Sequence, residues 1–289
     1  MDSFCIVIPT YNRKRLLKEC LDSIVKQSET ALKIIVVVDG STDGTLELLA
    51  EKYPDIEIVN GTGDWWWTKS VNKGIEAAFK YSPDSILLLN DDVVLPRNYL
   101  REIIKSANEN PGSLIGSAVK DILTGKYTFV GDNLDWKKVR RLDLIKYYGT
   151  DNLPEYIPVN NLPGRGLFVP SIVFSQIEPF DERFPQQNSD ADFTIRANRA
   201  GYGLFVSTRS FLYSHMDEGP DRIYESDYSI ANFFKRLYEK RSKQNLFYLC
   251  KFNLRHCPKR WSISYSLINI IATVSGYIKR WLLPKENKR

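Results

Sequence analysis

The stretch KIIVVVDGSTDG, residues 33 to 44, decides the fold class. Five consecutive apolar residues, Ile34 to Val38, lack the alternation of a strand with one wet face, and they run into an aspartate and a glycine-rich turn. A short unbroken apolar run is typical of a strand buried on both faces of a parallel sheet. The turn and the helical pattern that begins near Thr42 then predict a strand followed by a helix.

The same strand-and-helix unit recurs through the first half of the chain. Strand-like runs stand at FCIVIP (4–9), IEIV (56–59) and SILLLN (85–90). Helical periods separate them, one capped by Asn12 and another running from about Lys69 to Tyr81. This alternation predicts an α/β protein with a mostly parallel sheet.

The second half is less regular. Residues 120 to about 160 carry Gly, Asp, Tyr and Pro without a clear period, which indicates a long functional loop or a small irregular insertion. Order resumes at GLFVP (166–170), with helices expected from Ser171 and from Asp190 to Ala200.

Composition narrows the setting. The chain has 289 residues, 43% of them hydrophobic, which is ample for a sizeable core. Its four cysteines form no disulfide framework, and we expect reduced thiols in a cytosolic protein. Cys250, His256 and Cys257 match no common zinc spacing. No signal peptide precedes the first strand-like run, so the protein is expected to stay inside the cell.

The net charge of +5 is unevenly distributed. Residues 235–289 hold 14 Lys or Arg against Glu239 and Glu286, a net +12, which leaves −7 for residues 1–234. A basic region on an acidic body suggests contact with an anionic surface, and membrane headgroups and nucleic acid are the two candidates.

The basic region also contains an amphipathic pattern from Trp261 to Leu283. Its apolar positions fall on one helical face: Leu267, Ile270, Ile271, Val274, Ile278, Trp281 and Leu282. The polar positions fall opposite: Ser262, Ser266, Asn269, Thr273, Gly276 and Arg280. Basic residues that include Lys285, Lys288 and Arg289 flank it. This pattern fits a helix lying on an anionic membrane, or one docked on the catalytic domain or on a second subunit.

Three polar clusters follow predicted strands: PTYNR (9–13), DGSTDG (39–44) and NDD (90–92). Because ligands bind beyond the carboxyl ends of parallel strands, these clusters are expected to form one site. Asp39 is either an acceptor for a base or ribose or a residue of an ordinary turn. Asp91 and Asp92 repel each other and resist desolvation, which predicts that water, a cation or a ligand meets them.

Five motifs in this order resemble the family 2 glycosyltransferases of the GT-A fold, and rhamnosyltransferase-like bacterial members in particular. They are IVIPTYNR (6–13), IIVVVDGSTDGT (34–45), NKGI (72–75), LLLNDDV (87–93) and PFDERF (179–184) with DADFTIRANRAGY (190–202). The resemblance spans about residues 4–215. It implies a GT-A domain over 1–220, with a nucleotide-sugar half (1–118) and an acceptor half (119–220), followed by a basic helical region (221–289).

The resemblance implies roles for the acidic residues. NDD looks like the family's metal-binding element, with Asp92 as the metal ligand and Asp91 toward the ribose or donor sugar. A hard divalent cation, Mg²⁺ or Mn²⁺, would neutralise the diphosphate leaving group. His215 resembles the histidine that completes the metal shell, or it is a structural histidine.

The catalytic base of the family aligns with Asp190, and Ser189 stands where the family often has Glu. A carboxylate at this point is alternatively a helix N-cap. The segment GDWWWTKSVNKGI (63–75) flanks the donor pocket in the family. There Val71 replaces a frequent Arg, and Lys69 would supply the missing cation; the tryptophans are alternatively core. The donor-binding residues that the resemblance implies are Pro9, Thr10, Tyr11, Arg13, Asp39, Trp66, Lys69, Asn72 and Asp91.

Together these features predict a metal-dependent inverting glycosyltransferase for surface polysaccharide synthesis. It would move a sugar from a nucleoside diphosphate donor, UDP or dTDP, to a hydroxyl of a glycolipid or saccharide. Other expected properties are a peripheral position on the inner face of the cell membrane, an anionic membrane surface rather than nucleic acid as partner, and a possible homodimer. A sugar-phosphate nucleotidyltransferase and a non-catalytic carbohydrate-binding protein are the alternatives.

Overall fold

The structure is a computed structural model that describes residues 3–138, 140–215, 229–242 and 244–282. The chain divides into two compact units. The first comprises the described residues within 1–133, 142–185 and 189–216, and the second those within 134–141, 186–188 and 217–289. The expected boundary at residue 220 lies outside the described residues.

The first part of the chain alternates strand and helix, as its hydrophobic pattern predicts. Its elements are β1 (Phe4–Thr10), α1 (Lys14–Ile24), β2 (Lys33–Asp39), α2 (Thr45–Lys52), β3 (Glu57–Gly61), α3 (Trp66–Ala78) and β4 (Ser85–Leu88). β1 pairs in parallel with both β2 and β4, and β2 pairs in parallel with β3. The carboxyl ends of these strands therefore meet at one edge of the sheet.

The segment from residue 89 to residue 214 extends this sheet with strands of both directions, although its residues 134–141 and 186–188 belong to the second unit. Its elements are β5 (Val93–Val94), α4 (Tyr99–Glu109), β6 (Leu114–Asp121), β7 (Tyr127–Phe129), β8 (Asp132–Asp135), β9 (Arg140–Asp143), α5 (Leu144–Tyr148), β10 (Tyr156–Pro158), β11 (Leu167–Pro170), α6 (Ser171–Gln176), α7 (Ser189–Arg199) and β12 (Leu204–Ser214). The region from 120 to 160, expected to be a loop or insertion, holds several of these short elements. β8 and β9 form a separate two-stranded sheet.

The central sheet has the order β10-β12-β6-β11-β4-β1-β2-β3. It is mixed rather than mostly parallel, because β11 inserts between β4 and β6 and runs antiparallel to both. An antiparallel strand begins at the edge where its parallel neighbours end. The residues just before Leu167 therefore lie at the same edge as the ends of β1 and β4.

The core lies on both faces of this sheet. In β1, Cys5 and Val7 pack on one face, while Phe4, Ile6 and Ile8 pack on the other. Because neither face of β1 or β2 is left to water, their sequences need unbroken apolar runs. The α/β class follows directly from that burial.

The loops after β1 and β2 are hydrogen-bonded to each other, and the N-terminus of α1 is not capped by Asn12 as expected. Asn12 has a left-handed backbone (φ 51°), and its Oδ1 accepts a hydrogen bond from Thr42 N at 2.7 Å. The first N–H of α1, Lys14 N, is instead bonded by Asp43 Oδ2 at 2.8 Å. The predicted cap residue therefore joins two loops, and the cap comes from the neighbouring strand-to-helix turn.

Two other helix starts also differ from expectation. α2 begins at Thr45 rather than near Thr42, since residues up to Gly44 (φ 81°) form the turn. α3 begins at Trp66 rather than Lys69, and residues 79–81 form a 3-10 turn after it. Helix ends of this kind are set by hydrogen bonds to distant residues, which periodicity does not register.

The described helices of the second unit are α8 (Ile230–Tyr238), α9 (Leu246–His256) and α10 (Lys259–Leu282). Ser229 and Asn245 cap the first two through their side-chain oxygens. Trp136 packs against Phe252 and Tyr265, with ring centroids 6.1 and 5.1 Å away. α10 matches the predicted helix, whose expected end at Leu283 and flanking Lys285, Lys288 and Arg289 lie outside the described residues.

Within the described residues, no helix is both long enough and apolar enough to span a membrane.

Candidate active site

Asp91 and Asp92 follow β4 and are both buried, with 5% and 8% of their surface exposed. Thr10 Oγ1 donates to Asp91 Oδ2 at 2.7 Å. Arg13 Nη1 bridges the pair, 3.0 Å from Asp91 Oδ1 and 3.1 Å from Asp92 Oδ2. The ends of β1 and β4 thus bring together four of the predicted site residues in one hydrogen-bonded cluster.

The adjacent carboxylates are costly to charge in this position. Burial raises the pKa of Asp91 to about 6, the Arg13 guanidinium opposes that rise, and the negative charge of Asp92 adds to it. The pKa of Arg13 is raised because the attraction of both carboxylates outweighs its burial. Arg13 therefore supplies part of the positive charge that two buried aspartates need.

A divalent cation fits the chemistry of Asp92 and His215. Asp92 Oδ1 is buried and has no hydrogen-bond partner among the described residues. The backbone N of His215 donates to Asp92 O at 3.4 Å, which fixes the two residues side by side. His215 Nε2 lies 2.8 Å from Glu19 Oε2, an ion-pair distance without hydrogen-bond alignment.

The carboxylate oxygen left unsatisfied here is a ligand that hard cations prefer, and the imidazole nitrogen is a common ligand of transition-metal ions. They do not complete a shell by themselves. No group of three or more His, Cys, Asp or Glu arranged for a metal occurs within the described part of the chain.

Asp190 lies in the first turn of α7, where its carboxylate is held from two sides. Gly164 N donates to Oδ2 at 3.1 Å, and Ala191 N donates to Oδ1 at 2.8 Å. Ser189, at the position where the family often has Glu, is buried, and its Oγ has no described partner. Asp192 faces away from this role, since its Oδ2 pairs with Arg196 Nε at 2.9 Å.

Asp39 organises the start of α3. Its Oδ1 accepts from Gly63 N at 2.7 Å, and its Oδ2 accepts from the N–H groups of Trp65 and Trp66 at 3.0 Å each. Trp66 has a left-handed backbone (φ 60°) at this point. The buried carboxylate therefore has a structural function as a helix cap, and its assignment to a base or ribose stays a prediction.

The three consecutive tryptophans, all half-buried, differ in their contacts. Lys69 Nζ lies 5.3 Å from the ring centroid of Trp65. Trp67 Nε1 donates to Asn90 Oδ1 at 3.2 Å, and its ring meets Phe180 edge-on at 5.6 Å. Trp67 thus contacts the NDD segment, although the family resemblance singled out Trp66.

Other predicted donor residues have varied environments. Pro9 is buried within β1, and Tyr11 is 43% exposed just beyond it. Asn72 exchanges two hydrogen bonds with the backbone of Phe180, at 2.9 and 3.2 Å. These bonds give Asn72 a structural role in fastening α3 to the turn that precedes α7. For Pro9, Tyr11, Lys69 and Asn72, donor binding stays a prediction.

Arg165, which sequence reasoning did not identify, lies at the same edge of the sheet as the NDD segment. It precedes β11, and its Nη1 donates to Ser214 Oγ at 2.8 Å. Burial lowers the pKa of its guanidinium, and the negative charges of Asp92 and Asp190 oppose that effect. Both carboxylates therefore lie within electrostatic reach of one cation. The sequence feature that could have identified Arg165 is its position between two glycines in PGRG, residues 163–166.

Gly164 shows how closely these segments approach. A Cβ added there would lie 2.3 Å from Trp67 Cζ2. The backbone that anchors Asp190 thus packs directly on the ring that bonds Asn90. This contact brings the segments around Asp190 and NDD to one place at the edge of the sheet.

Comparison with known proteins agrees with this geometry. A family model described as Glycosyl transferase family 2 matches residues 5–204, and the chain belongs to this family. A Mycobacterium tuberculosis relative, N-acetylglucosaminyl-diphospho-decaprenol L-rhamnosyltransferase, is 22% identical over 240 residues, 73% of this chain and 76% of its own length. The protein is accordingly a glycosyltransferase.

Solved structures agree on the GT-A fold. S. aureus TarS 1-349 in complex with UDP-GlcNAc superposes with a TM-score of 0.57 at 16% identity, covering 96% of this chain and 92% of that one. The mannosyltransferase PcManGT of Pyrobaculum calidifontis, in complex with GDP-Man and Mn²⁺, also gives a TM-score of 0.57 at 16% identity, covering 97% and 76%. The predicted α/β class and GT-A fold are thereby confirmed.

Proposed function

We propose that this glycosyltransferase moves a sugar from a nucleoside diphosphate donor to an acceptor hydroxyl with inversion, and that it depends on a divalent cation. The observation that carries the proposal is a contact between two segments of the site. Gly164, whose N–H bonds Asp190, packs on the ring of Trp67, and Trp67 bonds Asn90 of the NDD segment. The proposed base and the proposed cation ligand thus belong to neighbouring segments at one edge of the sheet, and direct displacement requires a group for the acceptor and one for the leaving group in a single site.

Asp190 would take the proton of the acceptor hydroxyl. The amide of Gly164 and its own neighbour's amide, Ala191 N, hold the carboxylate in a fixed orientation, so little reorganisation is needed as the proton moves. A base on the side of the sugar opposite the leaving diphosphate directs attack from that side. Such an attack inverts the anomeric centre.

Asp92 and His215 would hold the divalent cation, with phosphate oxygens of the donor completing the shell. The unpartnered Asp92 Oδ1 supports this assignment. When bound, the cation supplies neutralisation of the charge on the leaving diphosphate. Mn²⁺ is present in the PcManGT complex, which favours Mn²⁺ or Mg²⁺ here.

Pro9, Thr10, Tyr11, Arg13, Asp39, Trp66, Lys69, Asn72 and Asp91 are proposed as the donor-binding set. Thr10 and Arg13 support it best, because both contact the NDD carboxylates directly. Residues 1–118 would then form the donor half and 119–220 the acceptor half. UDP and dTDP donors remain the first to test, and the GDP-Man complex of PcManGT adds GDP donors to the panel.

The acceptor is proposed to be a membrane-held glycolipid used in surface polysaccharide synthesis. The name of the mycobacterial relative specifies a decaprenyl-linked acceptor, which supports this class. The outward face of α10 gives independent support. Its polar residues Ser262 and Ser266 are buried, whereas apolar residues are exposed: Ile263 (68%), Leu267 (55%), Ile268 (47%), Ile271 (65%) and Ile278 (47%).

An apolar face turned outward is the arrangement expected of a helix that lies in a membrane interface. Arg260 and Lys279, both exposed, stand at the two ends of that face. A bilayer with anionic headgroups matches apolar positions bordered by cations. We therefore place the enzyme on the inner face of the cell membrane, with a second copy of the chain as the alternative partner of this face.

The decisive experiment incubates the protein with a panel of UDP-, dTDP- and GDP-sugars and follows nucleoside diphosphate release with and without Mn²⁺. Asp190→Asn should cut turnover by roughly a hundredfold or more, the usual scale for loss of a general base, with donor affinity little changed. Asp121→Asn, which alters a carboxylate in the turn before Thr124, is the matched control.

Three outcomes would contradict the proposal. A fully active Asp190→Asn variant would remove Asp190 from the base role, and a product with retained anomeric configuration would exclude direct displacement. Release of pyrophosphate from a nucleoside triphosphate and a sugar phosphate would instead favour the nucleotidyltransferase alternative.

A further inference from the structure

Arg165 is a cation at the site for which the described residues provide no carboxylate partner. The other arginine of the site, Arg13, is bridged to Asp91 and Asp92. Arg165 donates a hydrogen bond to the neutral hydroxyl of Ser214 and has no ion pair within the described part of the chain. A partly buried guanidinium that forms no ion pair is unusual, because the cost of burying a charge is normally offset by a paired group.

The position of Arg165 is fixed by its neighbours on both sides. Gly164 N bonds Asp190, and Gly166 N donates to Leu88 O at 2.9 Å, two residues before Asn90. Gly166 has φ 76°, and an added Cβ would meet Ser117 Oγ at 2.7 Å, so the backbone has little freedom. The backbone at Arg165 is therefore held between the base segment and the NDD segment.

The hydrogen bond to Ser214 orients one side of the Arg165 guanidinium. It engages Nη1 and leaves the other N–H groups of the planar guanidinium for a further acceptor. Phosphate is the anion whose geometry a guanidinium fork matches in bidentate fashion. Ser214 precedes His215, so the residue that orients Arg165 is joined to the proposed cation ligand.

We propose that Arg165 binds the diphosphate of the donor and stabilises it as the leaving group, which gives the site a fixed cation of its own besides the divalent ion. The inference rests on the proposed function, since it assumes a nucleoside diphosphate donor. It assigns Arg165 to the diphosphate rather than to the sugar or base, because neutral groups do not require a desolvated charge. In such a site, preorganised positive charge acts where negative charge develops.

The test measures binding of UDP, dTDP and GDP, and of the corresponding monophosphates, by titration calorimetry in EDTA and again in Mn²⁺. In EDTA, Arg165→Met should weaken diphosphate binding by about tenfold to a hundredfold and monophosphate binding much less. Arg165→Lys keeps the positive charge but not the bidentate guanidinium, so its diphosphate affinity should lie between those of wild type and Arg165→Met. Arg209→Met is the control, since that guanidinium pairs with Glu109 and Glu155 instead.

Equal losses for mono- and diphosphates would overturn the inference, because Arg165 would then only offset the charges of Asp92 and Asp190. Unchanged binding in Arg165→Met would overturn it as well. If that variant fails to fold, Ser214→Ala decides: diphosphate binding should still weaken relative to monophosphate, and an unaltered ratio refutes the assignment. Wild-type protein that binds none of the diphosphates would contradict the proposed function itself.

Discussion

At the scale of single residues, the site is governed by how buried charges are compensated. Two aspartates end a strand that is buried on both faces, and one arginine bridges them. Asp92 nevertheless keeps one buried oxygen without a described partner. An unpartnered buried carboxylate oxygen destabilises the free protein, and the same oxygen is then available to a cation when the donor binds.

Asp92→Asn provides the test at this scale. It removes a like charge beside Asp91 at constant shape, so the ligand-free protein should be at least as stable as wild type in thermal unfolding. The cation-dependent part of nucleoside diphosphate binding should disappear, and with it the stabilisation of about 2.7 kcal/mol expected at a hundredfold excess over Kd. Asp22→Asn, on the outer face of α1, should change neither the binding nor its cation dependence. Mn²⁺-dependent binding that persists in Asp92→Asn would move the cation site elsewhere.

At the scale of elements, the loops after β1 and β2 stabilise each other. Asp43 accepts from the first N–H of α1 and from the hydroxyl of Thr45 at the start of α2. Burial raises the pKa of Asp43, but the bonds from Thr45 and Lys14 N outweigh it, and the net shift is downward. One ionised carboxylate thus anchors two helix starts at the edge where the site lies.

Asp43→Ala should therefore lower the free energy of unfolding by about 1 kcal/mol near neutral pH, the typical value of an N-cap. Because the pKa of Asp43 is lower in the folded state, its ionised form contributes stability above the usual aspartate pKa. That contribution is lost as pH falls through the folded-state value. Urea unfolding of wild type and of Asp43→Asn, which keeps an acceptor without a titrating charge, should show curves that converge on acidification. Parallel curves at all pH values would show that Asp43 ionisation is not linked to folding.

At the scale of the whole molecule, charge and hydrophobicity are unevenly placed. Residues 1–234 carry a net −7 and the remainder +12, and α10 buries serines while exposing isoleucines. An exposed apolar stripe of this length is a recognised mark of an interaction surface. A lipid-linked acceptor would bring the same surface to the membrane where its substrate lies.

Vesicle sedimentation tests this placement. The full chain should bind vesicles that contain phosphatidylglycerol, with each basic residue near the surface contributing about 1 kcal/mol. High salt should weaken this binding without abolishing it, since salt does not screen the apolar part. Leu267→Ser, Ile271→Ser and Ile278→Ser combined should abolish it and preserve nucleotide binding. Leu123→Ser with Ile172→Ser, both exposed apolar positions outside α10, is the control.

Two results would reject a membrane role for α10. One is a triple variant that still sediments with the vesicles. The other is a wild-type dimer that the triple variant converts to monomers while vesicle binding stays unchanged, which would assign the face to a second copy of the chain. Point variants serve better than truncation here, because Tyr265 and Tyr277 of α10 pack within the second unit against Trp136 and Phe233.

The amino-acid sequence by itself determined the α/β class, the strands and most helices of the first half, and the grouping of polar residues after β1, β2 and β4. These properties depend on local periodicity and on which faces must be buried, and both are written along the chain. The order of the motifs along the chain likewise identified the family. Thr10, Arg13, Asp91 and Asp92 were recognised as one cluster because parallel strands end at a common edge.

The tertiary structure alone decided the features that depend on distant segments. β11 runs antiparallel between β4 and β6, which carries Arg165 to the site although no strand end in the sequence pattern predicts it there. Asp43 rather than Asn12 caps α1, and Asp39 is occupied by the start of α3. Only the structure shows which face of α10 is exposed, since an amphipathic pattern defines two faces without indicating which one packs. Pairing, burial and charge compensation at these places are properties of contacts between segments far apart in sequence, and local pattern does not encode them.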